Sequence, residues 1–465
     1  MRGVSVLWTS DEIARATGGA ASARFEVSGV TFDSHEVGPG DLFVAMPGTV
    51  HDGHEFAGRA IAAGASGLIV SRPVEGPHVM VEDTAKALED LGRAARERCN
   101  CIIIGITGSV GKTSTKEALY AALERWRPGK VHRSVKSYNN HTGVPLSLAR
   151  MPADAGFAIF EMGMNNPGEI AALTRQVRPH VALITAIAPA HIETLGSEEA
   201  IADAKGEIFE GLEPDGIAII PNDTSHRGRL VRAARRHADR IVTFGSGDAD
   251  VHALHAVRAD QGGSLITAAL LASDVTFTIS QRGDHWVSNS LAVLAAVEAV
   301  HGDAGVAGLA LADLGGLKGR GERHHVAIEG GEALVIDESY NANPASMAAT
   351  IKSLGAERGV VRRIAVLGAM RELGPKSDEL HAGLAPMLIA AHIDELVLVG
   401  AETRPIENAV RDGMNVTRAD DAEQAAEAVL GMLLPGDAIL VKASNSIGLS
   451  RVVERLTRGL PQCST

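Results

Sequence analysis

Residues 101–113 read CIIIGITGSVGKT and run directly into TSTKEALYAALERW, residues 113–126. An aliphatic run, a glycine-rich turn and a helical pattern in that order make a strand, a loop and a helix, the setting a phosphate-binding loop needs. The glycines let backbone N–H groups turn inward around phosphate oxygens. Lys112 brings a point charge to the outer phosphates, Thr113 offers a hydroxyl to Mg2+, and the helix N-terminus adds its dipole. The spacing is G-x-x-G-x-x-G-K-T, with Ile106 where the commonest form has its first glycine. A glycine-rich turn before an ordinary helix has no need of the Gly-Lys-Thr ending. Gly108, Ser109, Val110, Gly111, Lys112, Thr113 and Ser114 are therefore read as nucleotide contacts.

Outward from this loop, short β-branched runs alternate with Ala-rich helical stretches, the pattern of a mostly parallel sheet with helices on both faces. The fold class expected is α/β. Strands are expected near 67–70, 101–106, 157–160, 181–187, 216–220, 334–336, 364–367, 395–399 and 438–441. Residues 253–280 break the rhythm: SLITAALL and DVTFTIS alternate in the manner of antiparallel hairpins, placed at the flank of the middle domain. Polar or Gly-rich stretches, RAARERCN and GGLKGRGERHH, suggest boundaries that give domains 1–95, 96–322 and 323–465.

Bulk properties narrow the partners. The chain has 465 residues, 45% hydrophobic and 22% charged, enough for two to four domains. A net charge of -13 without Lys/Arg runs argues against a nucleic-acid backbone binder. MRGVSVLWTSDEIARATGG turns polar within a few residues and no apolar run is long enough to span a bilayer, so a cytoplasmic protein with no membrane insertion is expected. Cys99, Cys101 and Cys463 match neither a disulfide framework nor a metal spacing and read as reduced thiols.

A phosphate loop alone does not choose among kinase, switch, motor and ligase; the neighbouring strand ends must, because side chains there converge on one crevice. Glu161 ends the strand FAIF and is a hard oxygen donor for a divalent cation, or else a helix-start acid before NNPGEI. His191, in APAHIE, is a metal ligand or phosphate contact, or a loop histidine with neither role. Lys205 is the most telling. SEEAIADAKGEIFEGL opens with an N-cap-like Ser197 and two acids, so it reads as a helix with Ile201, Ile208 and Leu212 on its apolar stripe. Lys205 falls on that stripe. Either its stem snorkels, or the amine is held beside the metal site with a depressed pKa that lets it react with carbon dioxide to give a carbamate.

Taken in order, TGSVGKTST, KSYNNHTGVPLSL, EMGMNNPGEI, APAHIETLGS, AKGEIF, GRGERH, IDESYNANPASM, LGAMRELG and VKASNSIGL resemble the Mur ligases over nearly the whole chain. SYNANPASM with MRELG is similar to the branch of that family that adds D-alanyl-D-alanine, and GVTFDSHEVGPGDLFVAMPGTVHDGHEF looks like that branch's UDP-sugar domain. The resemblance implies three domains: an N-terminal one for the UDP-muramoyl end, a central ATPase, and a C-terminal Rossmann-like domain closing over ATP and dipeptide. It implies an ATP-dependent ligase of peptidoglycan precursor synthesis, working as a monomer on UDP-N-acetylmuramoyl-tripeptide and D-alanyl-D-alanine through an acyl phosphate. Carried over residue by residue, Thr113, Glu161, His191 and carbamylated Lys205 serve Mg2+, with Lys112, Glu161, His191 and Lys205 catalytic. Asn289, Arg320 and Asp337 contact ATP, and Ser34, Asn139, Asn140, Tyr340 and Asn341 contact substrates. Three positions depart from the pattern: His35 and Asn445 stand where arginine is usual, and Trp286 where a second asparagine often follows His285. Another Mur-type ligase, such as the tripeptide-forming enzyme or a polyglutamate-adding one, and a non-catalytic nucleotide-binding protein are the alternatives. Phosphate release in the presence of different amine acceptors separates them.

Overall fold

A computed structural model describes residues 6–48, 51–190, 192–259, 262–410 and 414–458. The expected α/β architecture is present as three larger sheets in series along the chain. The first has five strands between Ala20 and Met80, parallel except for the edge strand Ala20–Ala21. The second has nine. Its strand Ile102–Thr107 lies between Phe157–Glu161 and Val181–Ile184, parallel to both, so the phosphate loop and the ends of its two neighbours open on one edge of the sheet.

Strand pleating decides which side chains fill which core. Ile104, Ile106, Ile159 and Leu183 face one cluster, under the helices Lys112–Trp126 and Asp284–Ala299, while Ile103, Ala158, Phe160 and Ile184 face another on the opposite side. With both faces covered, the strands read as continuous apolar runs. The expected hairpins are Val251–Arg258, Ser264–Ala269 and Asp274–Ile279, which pair antiparallel and form one flank of this sheet.

The third sheet has six strands. Asp437–Lys442 lies between Gly331–Glu338 and Arg362–Gly368, parallel to both, and only the edge strand Glu322–Ile328 runs antiparallel. Its carboxyl edge faces the phosphate loop. Ion pairs that tie the central and C-terminal domains together include Arg282 with the buried Glu357, and Lys352 Nζ 2.6 Å from Asp284 Oδ2. Arg323 grips the same Glu357 at 3.0 and 2.8 Å.

One expected helix is shorter than its sequence suggests. Ser197 caps it as anticipated, its Oγ accepting from Ala200 N at 3.2 Å, but the α-helix ends at Gly206 and Glu207–Gly211 tightens into a 3-10 turn. Contacts with the helix Glu169–Val177 impose this. Glu207 caps that helix by accepting from Gly168 N and Ala171 N, and Ile208 O accepts from Thr174 Oγ1 at 2.8 Å.

Candidate active site

Gly108 and Gly111 have positive φ values of 149° and 83°, as a loop curling around an anion requires. A Cβ on Gly108 would lie 2.0 Å from Thr185 Oγ1, and one on Gly111 would lie 2.9 Å from Asn289 Oδ1. Thr185, just past the end of the strand Val181–Ile184, donates to Val110 O at 2.6 Å and so fixes the loop from the neighbouring strand. Lys112 Nζ donates to Gly108 O at 2.6 Å. Burial lowers its pKa, with Glu161 opposing and Arg320 reinforcing the shift.

Glu161, at the end of its strand, is 1% exposed. It accepts from Thr113 Oγ1 at 2.8 Å and from Asn139 Nδ2 at 2.8 Å, while its own N–H donates to Ser134 Oγ at 3.0 Å. A buried carboxylate sharing an oxygen with a threonine hydroxyl is a hard-donor pair suited to a magnesium ion. Lys116, one turn further along the same helix, is fully buried and donates to the carbonyls of Ser134 and Lys136, which pins the segment carrying Ser137 and Asn139.

Lys205 lies on the buried stripe as expected, with 0% exposure, and its Nζ has no hydrogen-bond partner among the described residues. Burial first, then the nearby Lys112, drives its pKa well below 10.5. A buried amine without a partner favours the neutral form, which is the nucleophilic one. His191 lies outside the described residues.

The C-terminal sheet supplies the opposite wall. Arg320 stacks its guanidinium 4.2 Å from the Tyr340 ring centroid. Asp337 holds the turn beneath it: Oδ2 accepts from Gly319 N at 2.9 Å, and Oδ1 accepts from Ser339 N and Oγ at 3.0 and 2.6 Å. A cavity of about 590 Å³ separates the two walls. Ser109 to Ser114, Asn139, Asn140, Glu161 and Asn289 line one side; Arg320, Tyr340 and Asn341 line the other. Gly108, Lys205 and Asp337 sit behind the lining, and Ser34 lies on the N-terminal sheet's loop, its Oγ accepting from Arg59.

Sequence reasoning missed Thr185, Lys116, Glu338 and Lys442. Lys442 ends a strand, the same signal that singled out Glu161.

Comparison with known proteins gives the family. Residues 106–297 match the Mur ligase middle domain, 319–445 the Mur ligase glutamate ligase domain, and 26–100 the Mur ligase family catalytic domain. The chain belongs to the Mur ligase family. It is 35% identical to the UDP-N-acetylmuramoyl-tripeptide--D-alanyl-D-alanine ligase of Synechocystis sp., covering 94% of this chain and 93% of that one. It is 33% identical to the enzyme of the same name from Escherichia coli, over 93% and 94%. Among solved structures it resembles MurF from Acinetobacter baumannii, with a TM-score of 0.83, 28% identity and coverage of 97% and 99%. It also resembles MurF ligase from Thermotoga maritima in complex with ADP, with a TM-score of 0.76, 27% identity and coverage of 92% and 97%.

Proposed function

We propose that this protein is the ATP-dependent ligase that joins D-alanyl-D-alanine to UDP-N-acetylmuramoyl-tripeptide, with residues 1–95 holding the UDP-muramoyl end, 96–322 the ATP, and 323–465 closing over both. The observation that carries the reading is the phosphate loop and the Thr113–Glu161 pair lining one end of a two-walled cavity, with buried Lys205 behind them, near enough to Lys112 and Glu161 to feel their charges. No described helix is long and apolar enough to cross a membrane, and the reading takes the enzyme to be a cytoplasmic monomer.

The chemistry explains the residue types. The tripeptide's terminal carboxylate is a poor acylating agent, so ATP converts it to an acyl phosphate, which the dipeptide's amine then attacks with expulsion of phosphate. The first step brings a negative carboxylate to a negative triphosphate. Lys112 and Arg320 offset that repulsion, and the phosphate-loop N–H groups orient the transferring group. Thr113, Glu161, His191 and a carbamate on Lys205 would hold Mg2+, which supplies further positive charge to the phosphoryl oxygens. Lys205 forms its carbamate when the neutral amine adds to carbon dioxide and releases a proton, turning an unpartnered buried donor into an oxygen ligand. Asn289, against Gly111, faces the nucleotide, and Tyr340 and Asn341 border the acceptor. Closure of the cavity keeps water from the acyl phosphate.

The deciding experiment is phosphate release with Mg-ATP, UDP-muramoyl tripeptide and D-alanyl-D-alanine, each omitted in turn. Release that needs all three, with the ligated product seen by mass spectrometry, is expected. Turnover with a single amino acid in place of the dipeptide would make the protein a different ligase of the family.

A further inference from the structure

We propose that Lys442 reads the free carboxylate of the incoming dipeptide and so selects a free-acid acceptor. The inference rests on the acceptor proposed above and adds the residue that recognises its far end.

Lys442 is the last residue of the strand Asp437–Lys442, at the carboxyl edge that faces the phosphate loop, and lies in register with Glu338 on the next strand. It is 2% exposed and lines the shared cavity. Its Nζ donates to Asn341 O at 2.9 Å and faces Glu338 Oε2 at 3.4 Å. An ammonium has three N–H donors, so one has no partner among the described residues.

The charges on the cavity wall identify what that donor is for. Among the described residues its cationic side chains are Lys112, Arg320 and Lys442, together with His285. Burial lowers the pKa of His285, which keeps the imidazole neutral near pH 7. Lys112 is tied into the phosphate loop, and the reaction proposed above assigns Arg320 with it to the triphosphate, so both serve the nucleotide end. The remaining polar groups on this wall include the neutral Asn341, Asn343 and Asn445 and the carboxylate of Glu338, which faces Lys442 and offers an incoming anion nothing. A dipeptide carboxylate entering a space that already holds a triphosphate needs a cation of its own, and Lys442 is the one left. Burial lowers the pKa of Lys442 while Glu338 opposes that shift. A carboxylate arriving at the third N–H would add to Glu338's effect and favour the ammonium.

The test compares D-alanyl-D-alanine with its C-terminal amide as acceptor, for wild type and Lys442→Met, following phosphate release and ligated product. Wild type is expected to favour the free acid, with a KM for the amide about 10- to 100-fold higher, the range for losing a charge-assisted hydrogen bond. In Lys442→Met the KM for the free acid should rise to that of the amide, while the KM for ATP stays within about twofold. A lysine that only pinned the Asn341 turn would raise both acceptors' KM equally, and that result overturns the inference. Should the variant not fold, the wild-type comparison decides alone: equal use of acid and amide means that no cation reads the carboxylate. Phosphate release with neither acceptor, single amino acids working instead, would sink the acceptor reading itself and this inference with it.

Discussion

Replacing Lys205 with methionine should make the protein more stable and nearly inactive, opposite effects that only an unpartnered functional amine explains. Methionine keeps the length and the apolar stem but has no charge to desolvate. The wild-type Nζ is fully buried without a hydrogen-bond partner among the described residues, a state that costs about 1–3 kcal/mol for a polar group. For a unit of about 150–250 residues each kcal/mol moves the melting temperature by about 2–4 °C, so Lys205→Met should melt about 2–12 °C higher in EDTA and CO2-depleted buffer. The pH dependence has a fixed sign. Because burial and Lys112 hold the folded-state pKa below 10.5, the unfolded chain binds more protons between the two pKa values. Wild-type stability therefore rises with pH across that window, and the variant's advantage should be largest near neutrality and shrink toward pH 10.5. Activity should fall about 100-fold or more, since losing the proposed carbamate ligand would remove several kcal/mol of charge stabilisation. Scanning calorimetry at pH 7 and 10 with a phosphate-release assay measures both. A variant that melts below wild type at both pH values, or keeps more than about a tenth of the activity, refutes the reasoning.

Three other changes probe different parts of the site. Gly108→Ala places a Cβ 2.0 Å from Thr185 Oγ1, which cannot turn away without freeing Val110 O; ADP affinity by calorimetry should fall at least about tenfold, with about 1–3 kcal/mol of lost stability. Glu161→Gln keeps the shape and removes the charge, so the Mg2+ concentration giving half-maximal phosphate release should rise at least about tenfold; an unchanged magnesium titration would remove Glu161 from the metal site. Arg282→Ala cuts a link between the two walls but leaves Arg323 on Glu357, so ATP hydrolysis without dipeptide should rise about two- to fivefold relative to ligation, measured as phosphate released per product formed.

What was legible in the sequence follows from how local each determinant is. The phosphate loop, the parallel core strands and the flanking hairpins depend on neighbours within about ten residues, and each appears where its pattern places it. Lys205 could be read because a 3.6-residue period assigns every helical position a face, and a lysine on the apolar face stands out. The end of that helix was illegible because its cause is not local: Glu207 and Ile208 bond to a helix some 35 residues earlier in the chain, and those bonds shorten the last turn.

The same reasoning separates the site residues that were found from those that were missed. Glu161 and Lys442 both end strands that face the cavity, so position alone marks them equally. Glu161 stood out only because the phosphate loop, on the adjoining strand, had already fixed where a cation was needed. Lys442 acquires meaning from Asn341 and Glu338, 101 and 104 residues away, and from the phosphate loop on another sheet. No window along the chain contains that neighbourhood. Lys116 is the sharper case. Its position reads as one more polar site in TSTKEALY, yet it is fully buried because the carbonyls of Ser134 and Lys136 and the carboxylate of Glu117 converge on it. Burial of a charge is decided by what the fold brings to it, and an ordinary helical lysine and the pin of the segment carrying Ser137 and Asn139 carry the same letter in the sequence.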